Sequence, residues 1–227
     1  MKLGPKSSNP DLPPVNWFGL VTGVLVLVLP FLGPWWVGTA GRGAMVVALS
    51  PFDVSVSLVG QPLQSSLVSL FLLAAKITFV IAGIFMILAS LFPNRWWSKR
   101  LFNFGVMKPF WSIIGLIALL LIGAIIFNMV LPKLLPSMVS GEGNAVVQIS
   151  VPYISGTTVS SIQVGDAVTI TAPVTFSLTG IFWLAVVTSI LGIIARIYHR
   201  RFTPSERARF QPEGRKVIKL RPTEEGR

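Results

Sequence analysis

The chain has 227 residues, 52% hydrophobic and 12% charged, where a soluble domain carries roughly a quarter charged residues. With 19 Lys and Arg against 8 Asp and Glu, its formal net charge is +11. It has no cysteine, which excludes disulfides, iron–sulfur clusters, thiolate zinc and thiol catalysis. These features place the chain in the membrane class as one integral domain.

Residues 1–14 contain Pro5, Pro10, Pro13 and Pro14 without periodicity and read as an irregular cytoplasmic arm. Four apolar runs follow: Val15 to Val37, Leu67 to Phe92, Phe110 to Leu131 and Val174 to Ile197. Each has about 20 residues or more, enough to cross a hydrocarbon core roughly 30 Å thick. In lipid every backbone amide must be paired internally, so the runs are expected to be helices. The expected spans are about 15–38, 66–92, 109–131 and 174–198.

The first run follows a basic start, and Gly38-Thr39-Ala40 has the small residues of a cleavage site. It is too long for a signal-peptide core, however, and has Pro30, Pro34, Trp35 and Trp36 near its end, so it reads as a retained helix. Pro30 is expected to kink that helix and free the Val26 carbonyl. Trp35 and Trp36 are expected at the lipid interface, with Trp96, Trp97, Arg95, Lys99 and Arg100 at the opposite one.

The two longer connections, 39–64 and 132–173, carry strand signals. Phe52, Val54, Val56 and Leu58 alternate with Asp53, Ser55 and Ser57, a period of two. Ala44 to Leu49 is a shorter candidate. Val147, Ile149 and Val151 alternate with Gln148 and Ser150, and Thr157 to Val164 and Ala167 to Ala172 flank a Gly165-Asp166 turn. About five short strands are expected, paired between the two connections in one small antiparallel sheet.

Charge sets the expected orientation. Arg95, Lys99, Arg100 and Lys108 lie between the second and third runs. Arg196, Arg200, Arg201, Arg207, Arg209, Arg215, Lys216, Lys219, Arg221 and Arg227 lie at or beyond the end of the fourth, and Lys2 and Lys6 precede the first. The two longer connections hold only Arg42 and Lys133 against Asp53, Glu142 and Asp166. This is a positive-inside pattern, with both termini cytoplasmic in a multi-pass cell-membrane protein and the β segments exoplasmic. Thr203-Pro204-Ser205-Glu206 has the signature of a helix start within the basic tail, 199–227. That tail lacks the aromatic interleaving of a nucleic-acid module, so anionic headgroups are its expected partners and nucleic acid is not.

Lys76 is the formal charge well inside a run. Such a lysine costs roughly 2.5–3.5 kcal/mol on insertion scales, so it needs a partner or a route to water. Snorkelling or structural pairing, with the Val26 carbonyl as a candidate acceptor, is preferred over an anion or proton pathway. His199 stands without the further ligands a metal or haem site needs. Ser65, Ser66, Ser69, Ser177 and Thr179 have no histidine nearby to activate them and read as caps or interhelical bonds. Asp53, Glu142 and Asp166 are better explained by turns and solvent faces than by a cation site. Gly19 and Gly23, Gly115 and Gly123, and Gly192 with Ala195 imply close helix packing.

The expected architecture is a four-helix transmembrane bundle capped by a small exoplasmic antiparallel β-sheet. It is similar to the tetraspan plan of claudin-type proteins in topology alone, because their Trp-Gly-Leu-Trp and paired-cysteine signature is missing. No cofactor and no enzymatic activity are expected. The expected function is that of an accessory or structural subunit of a larger membrane assembly, docking on other subunits, lipids or copies of itself. The alternative is a small channel or transporter with Lys76 at an anion-selective step.

Overall fold

The computed structural model describes residues 15–63, 65–130, 132–133, 145–164 and 168–200. The expected arm 1–14, the tail beyond Arg200, Glu142 and the turn at Asp166 lie outside the described residues. Among the described residues, four apolar helices pack beneath one sheet. They are α1 (Trp17–Val28, continued by a 3₁₀ turn to Phe31), α2 (Ser66–Leu91), α3 (Ser98–Ile125, continued by a π-helical turn to Val130) and α4 (Gly180–His199). The strands are β1 (Trp36–Ala40), β2 (Met45–Leu49), β3 (Val54–Leu58), β4 (Gln61–Leu63), β5 (Ala145–Gln148), β6 (Gly156–Val164) and β7 (Val168–Leu178).

Among the described residues, three helices are long and apolar enough to cross a membrane: Ser66–Leu91, Ser98–Val130 and Gly180–His199. The remaining helix, α1, is shorter than its apolar run implied, covering only Trp17–Phe31. Pro30 ends this helix in its 3₁₀ turn, and Gly33 (φ 112°) with Pro34 prevents its resumption. Trp36 then finds partners in both Leu49 and Leu178, so 36–40 is strand. The fourth run divides in the same way. Val174 to Leu178 complete β7, and Thr179 separates strand from helix. The third helix departs in the other direction: it begins at Ser98, and the expected interfacial loop before Pro109 is helical. Pro109 is buried inside that helix.

The sheet is antiparallel and seven-stranded, in the order β4-β3-β2-β1-β7-β6-β5. Its centre is β1 paired with β7, joined to the helices below by residues 32–35 and by Thr179 respectively. The connections therefore do pair with each other, through strands that the apolar runs concealed. Trp36, Leu49, Phe176 and Leu178 join the bundle core from the sheet face toward the helices. Val151, Val174 and Ala124 form a second small core where the 149–155 segment crosses that face.

In the bundle α1 packs between α2 and α4, and α3 touches the same two helices. Glycines set the closest approaches. A Cβ at Gly83 would lie 2.8 Å from the Leu27 backbone, and one at Gly23 would lie 2.9 Å from Ile87. Gly105 abuts Met86, and Gly19 abuts Ser90 and Phe102. The Gly19/Gly23 pair thus works within the chain, while Gly115 and Gly123 face open space.

Candidate functional site

The end of the bundle remote from the sheet holds a buried polar node. Asn16 caps α1: its Oδ1 accepts from Gly19 N at 3.0 Å, while its Nδ2 donates to Ala195 O at 3.2 Å. The same Nδ2 lies 3.4 Å from His199 Nδ1, and Ser98 Oγ lies 3.0 Å from His199 Nε2. Ser98 Oγ donates to Ala89 O at 2.9 Å, so it accepts from the imidazole. A histidine protonated on Nε2 and accepting at Nδ1 satisfies both contacts. Its ring stacks on Phe102 at 4.5 Å. One node therefore joins the starts of α1 and α3 to the ends of α2 and α4.

Around this node lies the basic rim. Arg100 approaches the exposed Trp96 ring at 6.0 Å, and Lys108 lies over Phe104 at 4.9 Å. Arg95, Lys99 and Arg100 are exposed, and Trp97 is half-buried at the N-cap of α3. The Arg196 Nε is buried with no hydrogen-bond partner among the described residues.

Trp35 and Trp36, expected to face lipid headgroups, are instead enclosed by protein. Both are buried: Trp35 meets Phe52 and Phe182 edge-on, and Trp36 Nε1 donates to Ile154 O at 2.8 Å. Their apolar bodies serve the junction between sheet and bundle, which the sequence presented as a helix end. Pro30 is buried at the close of α1 and does not kink a longer span. The Lys76 ammonium sits 4.8 Å from the Phe31 ring centroid, in place of the suggested Val26 carbonyl.

The remaining polar candidates have local tasks. Thr179 Oγ1 donates to Pro34 O at 2.7 Å, and Ser69 Oγ donates to Ser66 O at 2.8 Å. Ser177 Oγ donates to Val37 O at 3.4 Å. Asp53 is exposed at the turn after β2. Among the described residues no group of three His, Asp or Glu side chains could hold a metal ion.

A different surface emerges on the sheet. Val59 has φ 49° and Gly60 φ 77°, the left-handed pair of a tight hairpin turn, although valine is β-branched. Val59 is 77% exposed, with Leu58, Leu63 and Met45 also exposed beside it. Register places Met45 opposite Leu58. The apolar surface continues along the chain into Leu67, Leu70 and Phe71, whose turns of α2 are exposed. Sequence pattern indicated the strand but not this patch, because alternation alone does not reveal that β3 and β4 extend past their cover. No known protein family matches the chain, and no curated protein is significantly similar to it.

Proposed function

We propose that this chain is a multi-pass membrane protein acting as an accessory subunit, which docks on a neighbouring membrane protein through the β3–β4 end of its sheet. The apolar patch of Met45, Leu58, Val59 and Leu63 carries this reading. These residues lie on the sheet, outside the apolar helices, so lipid-facing helix surface does not account for them. Exposed apolar patches outside a membrane region mark docking sites. The outermost strand, β4, has only three residues and contains Pro62, so pairing along that edge is blunted. Side-chain burial therefore supplies the contact.

The basic rim faces the cytoplasm in this reading, and the sheet lies outside. Purification in gentle detergent gives one stoichiometric complex with another membrane protein. Combined Leu58→Ser, Val59→Asn and Leu63→Ser substitutions release that partner while leaving the chain monodisperse. A wild-type chain recovered alone as a stable monomer rejects the accessory role.

A further inference from the structure

The foot of the sheet has a step that the docking patch does not use. α1 stops at Phe31, spanning roughly 24 Å, less than a hydrocarbon core of about 30 Å. Its neighbour α2 continues outward from Lys76 for ten residues, to Ser66. A bilayer meeting this short helix thins locally, bringing headgroups down toward Phe31 and Lys76. Helical side chains lean toward the N-terminus, which for α2 is the sheet side. The Lys76 ammonium accordingly reaches Phe31 at the top of α1.

The sheet brings an opposite charge to the same part of α2. The turn between β2 and β3 lies on the helix side of the sheet, just beyond the Trp36–Leu49 pair. Ser50 fixes this turn: its N donates to Asp53 O at 2.8 Å, and its Oγ accepts from Asp53 N at 2.9 Å. Phe52 then anchors the turn on α2, its ring 4.5 Å from Phe79, one helical turn from Lys76. Asp53 follows Phe52, is exposed, and is the sole carboxylate side chain among the described residues. No salt bridge within 4.0 Å joins it to Lys76. One ammonium and one carboxylate thus stand at the foot of the sheet with no salt bridge between them.

We propose that this step binds the headgroup of a zwitterionic phospholipid from the leaflet on the sheet side, with phosphate on Lys76 and a primary ammonium toward Asp53. A phosphatidylethanolamine headgroup carries both complementary charges, and its amine donates hydrogen bonds that a quaternary choline lacks. Exposed Phe31, Leu73 and Ile77 offer the acyl chains an apolar wall.

The inference rests on the membrane reading but not on the partner docked at β3–β4. The test is native mass spectrometry of the full chain released from detergent and titrated with phosphatidylethanolamine, phosphatidylglycerol or phosphatidylcholine. The wild type retains the ethanolamine lipid preferentially. Lys76→Gln weakens that retention about tenfold, Lys76→Arg preserves it, and Asp53→Asn abolishes the preference over phosphatidylglycerol. Equal retention of the three lipids by the wild type overturns the proposal, as does full retention by Lys76→Gln. Displacement of the lipid by millimolar inorganic phosphate also overturns it, reassigning Lys76 to a free anion. Failure to recover the chain from the membrane fraction rejects the membrane reading itself. Recovery there without lipid preference rejects the headgroup site alone.

Discussion

Asn16 shows how one side chain can hold an otherwise costly helix end. Its amide serves the Gly19 N–H, the Ala195 carbonyl and the His199 ring, all buried. Replacing it by alanine strands these groups away from solvent. Asn16→Ala is expected to destabilise the protein by about 1–3 kcal/mol, measured by denaturant unfolding in micelles. An unchanged midpoint rules out the node as a structural lock. The N-cap was legible in principle, because Asn16 directly precedes an apolar run. Its partners were not, since His199 is 183 residues from Asn16 and 101 from Ser98. A lone histidine beside arginines gives no sign of which helices will converge on it.

At the scale of elements, the clearest test is the seam between α1 and α2. The Leu27 backbone lies 2.8 Å from a Cβ at Gly83, and a helix backbone cannot rotate aside as a side chain can. Gly83→Val therefore destabilises by about 1–3 kcal/mol through forced separation of the helices, visible as a lower thermal midpoint. The β3–β4 turn predicts the opposite sign. Val59→Asn relieves a β-branched residue at φ 49° and stabilises by roughly 1 kcal/mol, while weakening partner binding if the docking patch is used. A third element depends on Asn128 in the π-helical turn. It donates to Val151 O at 3.0 Å and accepts from Val151 N at 2.8 Å, clamping the segment over the sheet. Asn128→Leu should sharply increase hydrogen exchange at the Val151 amide without unfolding the bundle. Alternation made β3 readable, and the β-branched run before Gly165-Asp166 made β6 readable. Alternation hid β1 and the end of β7 nearest the helices, because a strand buried at a sheet centre is as apolar as the helix beside it. Only the chain breaks at Gly33-Pro34 and Thr179-Gly180 mark where each run changes its hydrogen-bonding scheme.

For the whole molecule, charge and shape give orientation a physical handle. The sheet end has Arg42, Lys133 and Asp53 among the described residues, whereas Arg95, Lys99, Arg100, Lys108, Arg196 and Arg200 cluster toward the other end. If these cations hold the proposed topology, replacing Arg95, Lys99 and Arg100 by glutamine is not enough to disturb it. The cations from Arg196 onward still retain their end in the cytoplasm. Adding a truncation after His199 removes most of that second anchor as well. The combined variant is then expected to insert with mixed orientation, so that part of the population exposes single cysteines introduced as Val59→Cys or Tyr153→Cys to a thiol label from the cytoplasmic side. In intact cells the same cysteines, placed in the wild type and in the glutamine variant, should label from outside alone. Uniform outside labelling of the combined variant would show that the folded sheet sets orientation, since moving it across a bilayer leaves its polar backbone edges unpaired.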